Sequence, residues 1–291
     1  MRSTTPITAA QEVRDYYDLN TARWFGRPRV SDAIHRAVWG EGVGTEAEAF
    51  QYIDRLILGE IQELSGSFRA PLHVLDLGCG IGASLVFLAS HSPIRGMGIT
   101  VSGVQAEYAR RRIEEAALTG RVECLECDFL HLPRSLPPTQ LAFSIEAFVH
   151  SPNPDAYFSA TVEHVVPGGL LIVCDDFLSE RAEQPLSRRE ARMLDEMRRG
   201  WLAPSLITVA HADACARRLG YRQVKNVDLT KFLDLRRPRD LIVAATVALG
   251  RHLPLFGYRY RSLVGGNALQ AALVAGLIEF RFVAWQKGAP R

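Results

Sequence analysis

The chain has 291 residues, of which 47% are hydrophobic and 23% charged, and this is enough apolar sequence for one large domain or a core with a smaller cap. A formal net charge of +2, without long basic runs, argues against nucleic acid as a partner. We therefore expect a globular protein, and the charge is compatible with an acidic small substrate.

The five cysteines are odd in number and form no regular framework, which favours a reducing compartment over a disulfide scaffold. The N-terminal residues have no apolar signal core. The longest apolar stretch, residues 241–250, is shorter than the roughly 20 residues that span a bilayer. These features predict a cytoplasmic protein without a transmembrane segment, and they leave a homo-oligomer open.

Residues 1–70 precede the first strand pattern and are predicted to form a helical N-terminal cap. From residue 71 to 291 we expect a core in which short apolar runs alternate with helical patterns. Predicted strands are His73–Leu77, Arg95–Thr100, Val122–Cys127, Leu141–Glu146, Leu170–Cys174, Arg222–Asp228 and Ile278–Gln286. Predicted helices between them are Gly82–Ser90, Ser102–Leu118, Asp155–Val166 and Ala210–Leu219.

This alternation predicts an α/β fold, a doubly wound, seven-stranded, mostly parallel Rossmann-like sheet whose last strand is antiparallel. Two further segments, at about residues 179–205 and 236–275, fall outside the alternation and are predicted lids. Open sheets of this kind bind ligands at the carboxyl ends of their strands, so insertions there tend to cover the ligand.

A glycine loop, Val74-Leu-Asp-Leu-Gly-Cys-Gly-Ile-Gly82, joins the first strand to its helix. Glycine lets the backbone turn sharply and approach a ligand, and the helix end supplies unpaired N–H groups. The spacing is Gly-x-Gly-x-Gly after an acidic residue, which differs from the Gly-x-Gly-x-x-Gly of dinucleotide-binding proteins. The segment Asp76-Leu-Gly-Cys-Gly-Ile-Gly82 resembles the first motif of class I S-adenosylmethionine-dependent methyltransferases. This resemblance implies that Asp76, Gly78, Cys79 and Gly80 bind that cofactor, with Asp76 at its cationic methionine end.

The second strand ends in Gly96-Met-Gly-Ile-Thr-Val-Ser-Gly-Val-Gln105, where many family members have an acidic residue for the ribose. The variant with Thr100 and Gln105 resembles the branch of sterol and prenyl diphosphate C-methyltransferases and cyclopropane-fatty-acid synthases. The resemblance implies that Thr100 and Gln105 contact the cofactor, since an amide can both donate to and accept from a diol. The alternative is a surface glutamine after Ser102, a helix N-cap.

After the third strand, Asp128 and Phe129 resemble the family's adenine-binding segment, although an Asp in this position is otherwise a turn or cap residue. After the fourth strand, Ser144-Ile-Glu-Ala-Phe-Val-His150 resembles the Ile-Glu-Ala segment of sterol methyltransferases. We predict Glu146 as a general base and His150 as a second base or an orienting group. Alternatively, Glu146 binds a backbone amide or positions the cofactor, and His150 is structural.

Aromatic and cationic residues of the cap resemble the tyrosine-rich helix that covers the cofactor in the sterol and prenyl enzymes. Aromatic faces stabilise a carbocation by cation–π attraction, whereas the simpler alternative is that they pack the cap onto the core. Asp176, at the end of the fifth strand, is predicted to bind a polar substrate group or Mg2+, the alternative being a residue that starts a helix. Tyr258 and Arg261 are predicted to hold a diphosphate or carboxylate, the alternative being a solvated surface arginine. The predicted substrate-binding residues are Tyr16, Tyr17, Trp24, His35, Trp39, Asp176, Tyr258 and Arg261.

These features predict a methyltransferase that uses S-adenosylmethionine to methylate an alkene carbon of an isoprenoid-type molecule, with a prenyl diphosphate as one candidate. Mg2+ is expected only if the substrate is a diphosphate, and no structural metal site is expected because Cys124-x-x-Cys127 lacks a second pair. The alternatives are an O- or N-methyltransferase of natural-product biosynthesis and, more remotely, a non-catalytic cofactor-binding protein.

Overall fold

A computed structural model describes residues 9–24, 35–69, 71–235, 237–250 and 258–289. Within these residues one sheet of seven strands has the order β3-β2-β1-β4-β5-β7-β6. The strands are β1 Leu72–Leu77, β2 Ile94–Thr100, β3 Val122–Glu126, β4 Thr139–Ile145, β5 Val165–Leu178, β6 Tyr221–Asp228 and β7 Ile278–Lys287. Strands β1 to β5 are parallel, and β7 runs antiparallel to both β5 and β6, as predicted.

The described helices are α1 Ala9–Trp24, α2 Glu46–Phe50, α3 Tyr52–Ser65, α4 Ala83–His91, α5 Gly103–Glu115, α6 Pro154–Val162, α7 Arg188–Gly200, α8 Val209–Arg218, α9 Pro238–Gly250 and α10 Tyr258–Val274. Several begin at a side-chain cap: Ser187 and Glu190, for example, form a reciprocal capping box at α7. None of the helices in the described part of the chain combines the length and apolar character needed to cross a membrane.

Apolar side chains cover both faces of the sheet. On one face, Ile53, Ile57 and Ile61 of α3 pack with strand residues such as Phe143 and Phe280. On the other face, aromatic residues of α6, including Tyr157 and Phe158, pack with Trp285 and with side chains of α8. The parallel strands are therefore apolar along most of their length, which is why they appear in the sequence as short continuous apolar runs.

The predicted lids are helices. Segment 179–205 contains α7, and the described part of segment 236–275 contains α9 and α10. Leu194 and Met197 of α7 pack with Ala268 and Leu269 of α10 in a third apolar cluster above the strand ends. This cluster places α7 and α10 over the carboxyl ends of β4 and β5.

The predicted boundaries differ most from the structure between α6 and β5, where the strand runs from Val165 to Leu178 instead of from Leu170 to Cys174. The helix predicted to run to Val166 ends at Val162, and β5 begins at Val165. The cause is tertiary, because Val165 pairs with Thr139 of β4 before a register shift at Leu141. β-branched valines fit a pleated strand as readily as the end of a helix, and only the neighbouring strand decides between them.

Candidate active site

A cavity of about 740 Å³ opens at the carboxyl ends of β1, β2 and β4. Its walls come from the cap, from the strand ends and from α9 and α10. Twelve of the residues predicted from the sequence line it: Tyr16, Tyr17, His35, Asp76, Gly78, Cys79, Gly80, Thr100, Gln105, Phe129, Glu146 and His150. Contacts between distant parts of the chain thus bring most of the predicted site residues together.

The glycine loop has a backbone that other residues rarely adopt. Gly78, Gly80 and Gly82 have φ of +87°, +54° and +76°. The N–H groups of Gly78 and Cys79 both donate to the carbonyl of Ile99 at 2.8 Å, which ties the loop to the end of β2. A Cβ on residue 78 would lie 2.4 Å from that of Ala147, so this position requires glycine.

Asp76 ends β1 at the base of the cavity and is 3% exposed. Burial raises the pKa of its carboxyl well above the ordinary value, and the nearby Asp54 raises it further. None of the ion pairs among the described residues involves Asp76. A cationic ligand in the cavity would therefore supply the charge that this carboxylate lacks.

Asp54 of α3 is a second buried acid that the sequence reasoning missed. Burial raises its pKa, while His35 and a hydrogen bond from Ser84 oppose the shift. Its Oδ1 and the Nε2 of His35 are both buried without a partner among the described residues. The signal was available in the sequence, since Asp54 lies next to Ile53 on the apolar face of a helix.

Thr100 and Gln105 are joined directly. The Thr100 hydroxyl donates to Oε1 of Gln105 at 2.9 Å, and Nε2 of Gln105 donates to the Thr21 hydroxyl of α1 at 3.3 Å. Gln105 is 3% exposed, so the alternative of a surface glutamine is wrong. Ser102 does cap α5, accepting a hydrogen bond from the N–H of Gln105 at 3.1 Å.

Asp128 and Phe129 differ in their relation to the cavity. Phe129 lines it and packs edge-on against Tyr157, with ring centroids 5.6 Å apart. Asp128 lies outside the lining and caps a short 3₁₀ turn, where its Oδ1 accepts from the N–H of Leu130 at 2.9 Å. The predicted contact of Asp128 with adenine stays a prediction.

Glu146 follows β4 with a left-handed backbone, φ +52°, which is uncommon for a residue with a side chain and concentrates at functional sites. Its N–H donates to the carbonyl of Cys174 at 2.9 Å. Its Oε1 accepts from the backbone N–H of Arg36 at 2.8 Å, and Nε of Arg36 lies 3.5 Å from the same oxygen. The carboxylate is held at the cavity wall by the segment between α1 and α2.

Arg36 is the second residue that sequence reasoning passed over. Its guanidinium donates to both oxygens of Asp176, at 2.8 and 2.6 Å, and lies over the ring of Phe280, 4.6 Å from its centroid. Burial disfavours its charge, but Asp176 and Glu146 outweigh burial and raise its pKa. Both oxygens of Asp176 are thus engaged within the protein, and Asp176 does not line the cavity.

His150 is buried at the cavity wall between two polar partners. Its Nδ1 lies 3.0 Å from the carbonyl of Leu202, an acceptor, so we assign the ring proton to Nδ1. Nε2 then accepts from the Tyr17 hydroxyl at 2.9 Å. Burial lowers the pKa of His150 and raises that of Tyr17, which keeps both groups neutral near pH 7.

Two further predicted substrate residues, Trp39 and Arg261, are not brought to the cavity. Trp39 is 41% exposed and outside the lining, and Arg261 reaches the carbonyl of Arg199 at 3.5 Å. The side chains of Trp24 and Tyr258 lie outside the described residues. Within the described part of the chain, no cluster of three His, Cys, Asp or Glu is placed to hold a metal ion.

The far wall of the cavity, formed by residues between 233 and 273, combines apolar side chains with charged and amide groups. Among its charged members, Arg237 lies 3.9 Å from Asp234 and Arg239 lies 3.7 Å from Asp240. Trp201, after α7, also lines the cavity, and its indole N–H is buried without a partner among the described residues. The apolar residues of this wall are Leu233, Leu235, Val243, Leu263, Leu269 and Leu273.

Comparison with known proteins finds similarity to methyltransferases. Residues 74–169 match the family model described as a methyltransferase domain. A 24-methylenesterol C-methyltransferase of Arabidopsis thaliana is 27% identical over 158 residues, which cover 54% of this chain and 44% of that protein. An O-methyltransferase of Pyrenophora dematioidea is 27% identical over 200 residues, covering 69% of this chain and 72% of that protein.

A similar fold occurs in a cyclopropane synthase from Mycobacterium tuberculosis, with a TM-score of 0.75 and 17% identity over 98% of this chain and 100% of the other. The chain spans about half the length of the first curated relatives that it matches. Residues 74–169 thus match a methyltransferase domain, and the predicted resemblance to class I S-adenosylmethionine-dependent methyltransferases is confirmed, as is the predicted fold class.

Proposed function

We propose that this protein transfers the methyl group of S-adenosylmethionine to an alkene carbon of a neutral, largely apolar small molecule, with Glu146 accepting the proton that is then lost. The observation that supports the proposal is that two acids line one cavity. Asp76 is buried without an ion pair among the described residues, and Glu146 has a left-handed backbone.

The residues around the glycine loop fit the cofactor. Asp76 and Asp54 would attract its ammonium and sulfonium charges, and Gly78 leaves space that a Cβ would fill. Thr100 and Gln105 line the same cavity at the end of β2 and would contact the ribose. S-adenosylmethionine supplies a methyl group on a positively charged sulfur, and the protein supplies position and a dry, negatively charged pocket.

Among the described residues, the charges that line the cavity favour a neutral acceptor over a diphosphate. The guanidinium of Arg36 is matched by Asp176 and Glu146, and Arg237 and Arg239 each lie beside an aspartate. The Leu-rich far wall is suited to a hydrocarbon chain or ring. With no diphosphate to bind, the reaction needs no Mg2+.

In the proposed reaction the π electrons of the alkene form the new bond to the methyl carbon as the sulfur–methyl bond breaks. The adjacent substrate carbon becomes cationic, and a proton leaves a neighbouring carbon so that a double bond forms again. Oε1 of Glu146 is bound by Arg36, whereas Oε2 accepts no hydrogen bond from the described residues and is our choice for the proton. Tyr16 and Tyr17 present aromatic rings to the same space, where they would stabilise the cation.

The test measures two quantities on purified protein. Calorimetry with S-adenosylhomocysteine reports cofactor binding, and labelled methyl transfer to prenyl alcohols, sterols, prenyl diphosphates and phenols reports the acceptor. Glu146→Gln is expected to lower transfer at least 100-fold and leave the affinity for S-adenosylhomocysteine within about threefold. Glu115→Gln, at the exposed end of α5, is the matched control and should match the unmodified protein.

If methyl is transferred only to phenols, the proposed reaction becomes O-methylation, which is the second candidate. The hydrogen bond between Tyr17 and His150 favours that candidate, because a substrate hydroxyl in place of Tyr17 would face the acceptor nitrogen of a neutral histidine. In that case His150→Gln, and not Glu146→Gln, would abolish turnover. Absence of any affinity for S-adenosylhomocysteine would refute both candidates.

A further inference from the structure

Two thiols meet behind the glycine loop. Sγ of Cys79, in the loop, lies 3.7 Å from Sγ of Cys124, on β3. Strand β2 lies between β1, which the glycine loop follows, and β3, and Gly98 on β2 is the register partner of Cys124. A Cβ on residue 98 would lie 2.7 Å from Sγ of Cys79, so the absence of a side chain at Gly98 creates the space in which the sulfurs touch.

The other cysteines do not share this contact. Cys127 directs its Sγ to the carbonyls of Asp128 and His131, both at 3.4 Å. Cys174 is buried on β5, and Cys215 lies on α8, in the apolar cluster on the face of α6. Cys79 and Cys124 are therefore a pair set apart by position, close to the distance at which a small shift allows a covalent bond.

The two thiols differ in access and in acidity. Cys79 is buried, whereas Cys124 is half-buried and more open to a reagent from solvent. The hydrogen bond between them lowers the pKa of Cys124, with help from Arg110, and raises that of Cys79. Because the thiolate is the nucleophile and must reach the reagent, the more exposed Cys124 is the residue that reacts first.

We propose that Cys79 and Cys124 form a reversible disulfide that weakens binding of S-adenosylmethionine to the glycine loop. The oxidant is a low-molecular-weight disulfide such as oxidised glutathione. The Cys124 thiolate attacks it to give a mixed disulfide and one free thiol; the Cys79 thiol, losing its proton, then attacks the Cys124 sulfur and releases the second. Two protein thiols are oxidised and one external disulfide is reduced to two thiols. The effect on the cofactor rests on the proposed function above.

Formation of the disulfide between Cys79 and Cys124 requires the glycine loop to move. A disulfide has a sulfur–sulfur distance of about 2.04 Å, so the two sulfurs must approach by roughly 1.7 Å. Gly78 and Gly80, on either side of Cys79, line the cavity, and the N–H groups of Gly78 and Cys79 share the carbonyl of Ile99. Displacing Cys79 toward β3 pulls this segment away from the ligand. By linkage, bound cofactor must disfavour the disulfide by the same factor.

The experiment uses the full chain in buffers of defined reduced to oxidised glutathione ratio. Mass spectrometry after alkylation scores the peptide that joins Cys79 to Cys124, and calorimetry measures affinity for S-adenosylhomocysteine. We expect the cross-linked peptide in oxidising buffer, at least tenfold weaker affinity, and full recovery with dithiothreitol. Saturating S-adenosylhomocysteine should shift the glutathione ratio at half-oxidation toward more oxidising values.

Cys124→Ala should bind S-adenosylhomocysteine normally and lose the sensitivity to oxidant, and Cys124→Ser provides a second variant if alanine unfolds the protein. Cys215→Ala is the matched control and should respond as the unmodified protein does. A cross-link between Cys124 and Cys127, or none, overturns the assignment of the pair. A Cys79–Cys124 cross-link with unchanged affinity overturns the effect on the cofactor. Reduced protein without affinity overturns the proposed function, whereas the cross-link itself remains measurable.

Discussion

Replacing Arg36 with methionine tests whether the buried contacts of this arginine hold the cap and the strand ends together. The change removes two hydrogen bonds to Asp176 and leaves that carboxylate, 2% exposed, beside Asp175 and without a counter-charge. Removing one partner of a buried ion pair lowers the free energy of unfolding by about 3–5 kcal/mol. For a chain of this length the unfolding entropy is roughly 0.6 kcal/mol per kelvin, so we expect the melting temperature to fall by about 5–8 °C.

Thermal unfolding followed by calorimetry and by circular dichroism provides the measurement, repeated in urea to obtain the free energy of unfolding. Arg239→Met is the control, because Arg239 is 70% exposed and 3.7 Å from its partner, and it should cost less than about 1 kcal/mol. The double variant with Arg36→Met and Asp176→Leu should recover most of the loss, since an apolar pair replaces the whole buried ion pair. A single Arg36→Met variant that melts within about 1 °C of the unmodified protein would refute the reasoning.

Three further outcomes are expected. Gly78→Ala should weaken S-adenosylhomocysteine binding at least tenfold by calorimetry, because its Cβ would lie 2.4 Å from that of Ala147; unchanged affinity would contradict the loop geometry. Tyr17→Phe should cost about 1–3 kcal/mol in urea unfolding, since Nε2 of His150 loses its buried donor; a neutral change would disprove that bond. Burial lowers the pKa of His150, so its contribution to stability is present above its unfolded pKa of about 6.5 and is lost as the pH falls below that value. His150→Gln should therefore lose less stability than the unmodified protein between pH 7.5 and 5 in thermal unfolding, and parallel curves would count against a neutral buried histidine.

Local patterns in the sequence were sufficient for much of the fold. The apolar runs of β1, β2 and β4 and the glycines after β1 predicted strands and a ligand loop, because periodicity and turn chemistry depend on neighbours in the chain. Residues that follow successive parallel strands, such as Thr100 and Glu146, could be placed at one edge for the same reason. The end of α6 could not be predicted in this way, because the pairing of Val165 with Thr139 depends on another strand.

The partners of the site residues were decided only by the tertiary structure. Arg36 contacts Glu146 and Asp176 across 110 and 140 positions of the chain, and such a contact leaves no spacing that a sequence pattern can reveal. The same holds for Cys79 and Cys124, which touch because Gly98 lies between them. The sequence by itself determined which chemical groups would stand at the strand ends. The packing of distant segments decided which of these groups remain open to a ligand and which bind partners inside the protein. The physical reason is that burial and pairing are properties of the folded chain as a whole.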